Sequence, residues 1–178
     1  MENIKKEKIK VEENILYDYL YISFDDLDPN QLLSILRFFK KVYHNNIDRN
    51  ELIEKLFIYI LEISIKDTQT SKEIINNYYK NVKKYNEDII SFRRNNKEII
   101  KVYEKYILSN SKYEVDILRY IFHILYNENI LYDNYIIDWY DNIKEKKILD
   151  SVVMKDFINW LRDEDSSEDE EDKTAKEA

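Results

Sequence analysis

The chain contains no glycine, and its single proline is Pro29. Tight hairpins and phosphate-binding loops depend on backbone positions with positive φ, which glycine adopts without steric cost. A glycine-free chain therefore excludes phosphate loops and dinucleotide-binding fingerprints. The chain also lacks cysteine, which excludes disulfides, thiolate zinc sites and a cysteine nucleophile.

Apolar residues recur at helical spacing along almost the whole chain, without the alternation that is typical of strands. Together with an N-terminal helix around Ile9 to Tyr21, the pattern predicts an all-α protein of about eight helices. The helix lengths and the short polar corners favour antiparallel pairs stacked as a HEAT-like α-solenoid. The other predicted helices lie on the apolar stripes Leu32–Tyr43, Leu52–Leu61, Ile75–Val82, Ile99–Tyr106, Leu118–Leu125, Leu131–Ile143 and Leu149–Leu161.

Composition divides the chain into three segments. We predict a loosely docked helix or linker over residues 1–28, one helical domain over residues 29–162 and a disordered acidic tail over residues 163–178. The net charge is −8, and the tail holds nine Asp and Glu residues, so the rest of the chain is nearly neutral. This asymmetry favours a basic partner over nucleic acid. No apolar run reaches the length of a membrane span and no signal peptide is present, so we predict a soluble, cytoplasmic protein.

Two aromatic segments carry the most distinctive pattern in the chain. The first runs from Leu125 to Leu131 and continues to Ile136-Ile137-Asp138-Trp139-Tyr140; the second is Phe157-Ile158-Asn159-Trp160-Leu161, followed by acids. From Leu36 onward the chain resembles the C-terminal domain of eukaryotic translation initiation factor 5, a two-tryptophan HEAT-like domain that also occurs in the epsilon subunit of initiation factor 2B. Two further stretches, 35–41 and 83–97, favour factor 5.

The resemblance implies an all-helical adaptor that binds the lysine-rich tail of the initiation factor 2 beta subunit and contacts initiation factors 1 and 3. The stretch before Trp139 carries fewer acids than is usual in the family, so we expect the second segment and its tail to contribute more of the charge. The expected partner-binding residues are Glu128, Asp133, Asp138, Asp163, Glu164, Asp165, Glu168, Asp169, Glu170, Glu171 and Asp172.

The large apolar residues of the two segments are expected to pack in the core and to hold the acids in place, because each lies at helical spacing with other apolar residues. The acids themselves also fit a merely solubilising tail. Ser166 and Ser167 each have an acid three residues further on, so they are candidate phosphorylation sites. The predicted supporting residues are Trp139, Tyr140, Phe157, Trp160 and Leu161.

A basic stretch precedes the aromatic segments. It is interpreted as a solvated helix face or as a second surface for an acidic partner or RNA. Its residues are Arg93, Arg94, Lys97, Lys101 and Lys105, with Lys80, Lys83 and Lys84 upstream.

Other polar residues offer no catalytic or metal-binding pattern. His44 and His123 have no paired spacing, so we predict neither a metal site nor a catalytic role for them. Asp25, Asp26 and Asp28 fit a capping cluster before Pro29. We therefore predict a protein that is not an enzyme and has no cofactor.

Two other functions stay open at this point. The same aromatic segments occur in the nucleotide-exchange segment of factor 2B epsilon, which accelerates GDP release from initiation factor 2 by binding to it. A HEAT-like domain related to the C-terminus of the scaffold factor 4G, which binds a protein kinase, is the third interpretation. The zinc ribbon of the factor 5 GTPase-activating domain needs four cysteines, so that activity is not expected in this chain.

Overall fold

The computed structural model describes residues 49–65 and 70–177, with residues 165–177 as backbone only. The predicted helices before residue 49, His44 and the aspartates near Pro29 lie outside these residues. The described elements are α1 (Arg49–Ile65), α2 (Ser71–Lys84), α3 (Asn86–Ile89), a 3-10 helix (Ile90–Asn95), α4 (Asn96–Ser109), α5 (Asp116–Asn127), α6 (Asp133–Asn142), α7 (Lys146–Leu149) and α8 (Val152–Glu177).

The all-α prediction is confirmed, since every regular element in the described ranges is helical. The start of α2 shows how the sequence sets a helix boundary. The Thr70 hydroxyl accepts a hydrogen bond from the Glu73 backbone at 3.2 Å, and the Glu73 carboxylate accepts one from the Thr70 backbone at 3.3 Å. This capping box satisfies two of the backbone donors at the helix N-terminus. Among the helices that the structure describes, none combines the length and apolar character needed to cross a bilayer.

Three helix pairs follow one another along the chain: α1 with α2, α4 with α5, and α6 with α8. Asn77 and Asn81 on α2 donate hydrogen bonds to Ser64 on α1, and the other two pairs are in direct contact. Successive pairs pack against each other in two layers, one formed by α1, α4 and α6 and the other by α2, α5 and α8. Tyr103 on α4 donates a hydrogen bond to the Phe57 carbonyl on α1, α4 contacts α6, and α5 contacts both α2 and α8. This arrangement agrees with the predicted HEAT-like stacking.

Buried tyrosines connect the first two pairs. The Tyr78 hydroxyl on α2 donates a hydrogen bond of 2.7 Å to the Tyr103 hydroxyl, which donates in turn to the Phe57 carbonyl at 2.9 Å. The rings of Tyr78 and Phe57 both pack edge-on against Tyr103. Burial raises the pKa of Tyr78 and of Tyr103. These two side chains therefore satisfy their polar atoms inside the core while they fill it.

The structure differs from the sequence prediction near the C-terminal end. The stripe Leu149–Leu161 predicts one helix, but the helix is interrupted at Asp150 and Ser151, between α7 and α8. We predicted a disordered tail over residues 163–178, whereas in the structure the backbone of residues 163–177 continues α8. A helix that is already docked grows by one hydrogen bond per residue without a new nucleation cost, and the segment is rich in Glu and Lys, which form helices readily.

Candidate partner-binding site

The corner between α5 and α6 positions the first aromatic segment. Asn129 has a φ of 58°, a conformation that glycine usually provides and that asparagine tolerates best among other residues. The Ile130 and Asn129 amides bond to the carbonyls of Leu125 and Tyr126 at 2.9 and 3.0 Å, which is the Schellman pattern. A glycine-free chain thus ends α5 with an asparagine at its C-terminal corner.

Asn96, the first residue of α4, holds the chain that leads into α6. Its side-chain oxygen accepts a hydrogen bond from the Tyr132 amide at 2.9 Å, and its side-chain nitrogen donates to the carbonyls of Ile130 and Arg93. The side chain is buried, so these bonds also satisfy polar atoms that water does not reach. Sequence reasoning missed this residue, because one asparagine in a basic stretch gives no signal of burial.

Trp139 is half-buried between α6, α4 and α5. Its indole N–H donates a hydrogen bond of 2.7 Å to the Glu104 carboxylate on α4, and its ring lies edge-on to Phe122 on α5 at 5.1 Å between centroids. Both contacts join α6 to the preceding helix pair. Trp139, which we predicted to be a supporting residue of the core, thus contacts two other helices but is not fully buried.

A groove of about 600 Å³ lies beside Trp139, between α4 and the segment that follows α6. It brings Lys97 and Lys101 of the basic stretch together with Asp138. Arg93 and Arg94 are exposed on the 3-10 helix and do not line it. The lining residues are Lys97, Ile100, Lys101, Glu104, Tyr135, Asp138, Trp139, Asn142, Ile143, Lys144 and Glu145.

The second aromatic segment packs against α5 in a regular ladder. At one end the Ser151 hydroxyl, directly before α8, donates a hydrogen bond of 2.6 Å to Asp116. At the other end the Tyr126 hydroxyl donates to Glu164 at 3.4 Å. Residue numbers rise together along the two helices, so α5 and α8 run parallel. The pairs of the ladder, in order, are Asp116 with Ser151, Arg119 with Phe157, His123 with Trp160, and Tyr126 with Glu164.

Trp160 lies at the surface of this ladder, which corrects the prediction that it is a core residue. It is 36% exposed, whereas Phe157 and Leu161 on the same helix are buried as predicted. The Trp160 ring contacts His123 at 5.1 Å and Tyr126 at 5.8 Å between centroids. Trp160 is therefore surrounded on one side by aromatic rings and open to solvent on another. Tyr140, the remaining supporting residue, is half-buried.

Charge changes sign along the ladder. The Arg119 guanidinium lies over the rings of Tyr120 and Phe157, at 4.7 and 5.1 Å, while the Glu164 carboxylate lies at the Tyr126 end. Burial, with the nearby Arg119, lowers the pKa of His123, and Glu164 opposes this effect. The imidazole between the two charges is thus biased toward its neutral form, and the Glu164 end is the more favourable one for a cation.

The structure separates the predicted partner-binding acids into different surroundings. Glu128, at the end of α5, accepts a hydrogen bond of 3.4 Å from Asn86. Asp133 accepts one of 2.7 Å from the Asn134 amide at the start of α6, and Asp138 lines the groove beside Trp139.

The acids of α8 form the larger remaining set. Asp163 and Glu164 are exposed just beyond Trp160. The side chains of the others, and of both candidate phosphorylation sites, lie outside the described atoms, although their backbone belongs to α8. These residues are Asp165, Ser166, Ser167, Glu168, Asp169, Glu170, Glu171 and Asp172.

The fold and this surface together define a HEAT-like helical domain with an exposed tryptophan beside carboxylates. Residues 95–171 match the W2 family, described as eIF4-gamma/eIF5/eIF2-epsilon, and this W2 segment runs from the end of the 3-10 helix into α8. The match includes both tryptophans and confirms the resemblance stated above, over less than half of the chain. The description names translation initiation factors, which supports a general role in initiation. No curated protein matches the chain.

Proposed function

We propose that this protein is a non-enzymatic adaptor of translation initiation that binds a lysine-rich segment of a partner along α8. The lysine-rich tail of the initiation factor 2 beta subunit is the proposed ligand, and initiation factors 1 and 3 are further proposed partners in the cytoplasm. The family match of residues 95–171 supports the role in initiation. The surface around Trp160 supports the choice of a basic ligand.

One observation carries the proposal: an exposed tryptophan adjoins an acidic helix. Trp160 is 36% exposed and touches Tyr126, whose hydroxyl binds Glu164. Helical spacing places positions 164, 168 and 171, all glutamates in the sequence, on the same side of α8 as position 160. A lysine-rich chain lying along α8 would meet an aromatic surface first and then a row of acidic positions.

The strength of such an interaction comes from many weak contacts. An exposed ion pair contributes about 0 to 1 kcal/mol, so no single carboxylate dominates the affinity. Exposed charges are screened within about 10 Å at 0.1 M salt, so the affinity should fall as salt rises. The groove beside Trp139 is less suited to a basic ligand, because its three acids are matched by three lysines and it offers no net negative charge. The acids are Glu104, Asp138 and Glu145, and the lysines are Lys97, Lys101 and Lys144.

Titration with a lysine-rich peptide at low and moderate salt tests the proposal. We expect the affinity to fall with salt, to fall further in an Asp163→Asn, Glu164→Gln double variant, and to be lost when residues 163–178 are deleted. Glu54→Gln is the matched control, since Glu54 is exposed on α1. Equal affinity of the wild-type, double-variant and truncated proteins would show that the acids of α8 are not the binding site.

Two further measurements separate the adaptor from the other functions. We expect no acceleration of GDP release from initiation factor 2 when the chain is added. Acceleration would instead support the exchange activity of factor 2B epsilon. In a pull-down, recovery of a protein kinase without initiation factor 2 would support the scaffold interpretation and contradict the adaptor.

A further inference from the structure

Tyr126 and Trp160 form an aromatic corner on the surface shared by α5 and α8. Their ring centroids are 5.8 Å apart and their planes meet at 87°. The faces of aromatic rings carry negative charge density, and tryptophan attracts cations more strongly than the other aromatic residues. Two perpendicular rings with a solvent-exposed tryptophan therefore offer a place where a cation can approach a ring face.

A carboxylate completes this corner. Glu164 lies one helical turn after Trp160 and accepts the hydrogen bond of the Tyr126 hydroxyl at 3.4 Å. Arg119 lies at the opposite end of the ladder, over Tyr120 and Phe157, and Arg162 on α8 pairs with Asp141. An incoming ammonium group would therefore find a negative charge and a ring face close together.

We propose that Tyr126, Trp160 and Glu164 form a binding site for one lysine side chain of the partner, whose ammonium group contacts the indole ring as well as the carboxylate. This inference rests on the proposed function and names the chemical group that the α8 surface recognises. Attraction to a ring needs a positive charge but no N–H donor. The site therefore accepts trimethyl-lysine, which keeps its charge, and rejects acetyl-lysine, which is neutral.

The other tryptophan is not equivalent. The Trp139 indole is bonded to Glu104, and Lys97 and Lys101 line the groove beside it. The groove holds three lysines and three acids, so it offers no net negative charge to a further cation, and the nearest acid, Glu104, is already bonded to the indole. The lysine site is thus assigned to Trp160 alone.

The test uses one lysine-rich peptide sequence in three forms, with lysine, trimethyl-lysine or acetyl-lysine at each basic position. The protein is prepared as wild type, Trp160→Phe and Trp160→Leu, and far-UV circular dichroism checks the fold of each. Leucine keeps an apolar side chain without a ring, whereas phenylalanine keeps a ring. We expect Trp160→Leu to weaken binding of the lysine peptide roughly two- to fivefold, and Trp160→Phe to weaken it less. The trimethyl-lysine peptide should bind at least as well as the lysine peptide.

Two results would overturn the lysine site. One is equal affinity of the Trp160→Leu variant and the wild type for the lysine peptide. The other is a trimethyl-lysine peptide that binds as weakly as the acetyl-lysine peptide. If the Asp163→Asn, Glu164→Gln variant loses affinity for the lysine peptide while Trp160→Leu does not, the adaptor function is supported and the proposed lysine site is wrong. If neither variant changes the affinity, both are wrong.

Discussion

The indole N–H of Trp139 on α6 donates a hydrogen bond to the Glu104 carboxylate on α4, with 2.7 Å between nitrogen and oxygen. This bond links the last helix pair to the preceding one, next to the edge-on contact of Trp139 with Phe122. The two tryptophans therefore differ in role. Trp139 joins helices, whereas Trp160 lies open at the surface of α8.

Glu104→Ala should destabilise the fold by about 1 to 2 kcal/mol, because it removes a charged acceptor and leaves a half-buried indole N–H without its partner. Urea unfolding followed by circular dichroism measures the change. Glu54→Ala on α1 is the control. Removal of this exposed carboxylate should change the free energy of unfolding by less than about 0.5 kcal/mol. Equal midpoints for the two variants would show that the Trp139 bond does not stabilise the helix packing.

Ser151→Ala should lower the free energy of unfolding by about 1 to 2 kcal/mol, because two hydrogen bonds depend on one hydroxyl. The Ser151 hydroxyl accepts from the Met154 amide at the start of α8 and donates to Asp116 on α5. Thermal unfolding gives the difference, with Ser111→Ala, a change at an exposed position, as the matched control. A Tm equal to that of the control would rule out a capping role for Ser151.

Alkaline pH should destabilise the protein through its buried tyrosines. Burial raises the pKa of Tyr78 and Tyr103 above the ordinary value of 10, so the folded state keeps both protons after the unfolded chain has begun to lose them. Their contribution is fully present below about pH 10 and is lost as the pH rises toward the folded pKa. Urea unfolding between about pH 8 and 11 should show a steeper loss in the wild type than in Tyr103→Phe. Parallel profiles would contradict this origin of the pH dependence.

Acidic pH should weaken the binding of a lysine-rich peptide through His123. Its pKa is lowered by burial and by Arg119 on α5, against the opposing effect of Glu164 on α8, so the folded protein favours the neutral ring. The resulting stability is present above about pH 6.5 and is lost as the pH falls through the folded pKa. Protonation would also place a cation 5.1 Å from the Trp160 ring. Affinity should therefore fall as the pH drops below about 6.5, and fall less in His123→Gln. An identical fall in both proteins would exclude His123 as the cause.

Much of the fold could be predicted from the spacing of apolar residues alone. The apolar residues of α5 recur on one face, and Leu118, Ile121 and Leu125 are buried as that pattern indicates. Boundaries could be predicted where polar residues supply caps, as at the start of α2. The break at Ser151 was not visible, because the apolar period continues across it from Leu149 to Val153.

The exposure of Trp160 could not be predicted, for a reason that lies in packing between helices. Trp160 has the same spacing from Phe157 as a buried residue would have, so the apolar pattern of α8 does not indicate that Trp160 is exposed. Its position at the edge depends on how α8 lies against His123 and Tyr126. The groove beside Trp139 also depends on packing, since it combines residues about 40 positions apart that only the contact between α4 and α6 brings together.

Binding of a basic ligand at Trp160 is tested most directly by nitrogen-15 NMR of the two tryptophan indole N–H signals while a lysine-rich peptide is added to the full chain. The chain has only these two tryptophans, and Trp160→Phe assigns the signals by removing one of them. We expect the Trp160 signal to shift with added peptide and to return toward its free position as salt is raised, while the Trp139 signal, held by Glu104, stays in place. A shift of the Trp139 signal with an unmoved Trp160 signal would place the ligand in the groove between α4 and α6 and would contradict the proposed site.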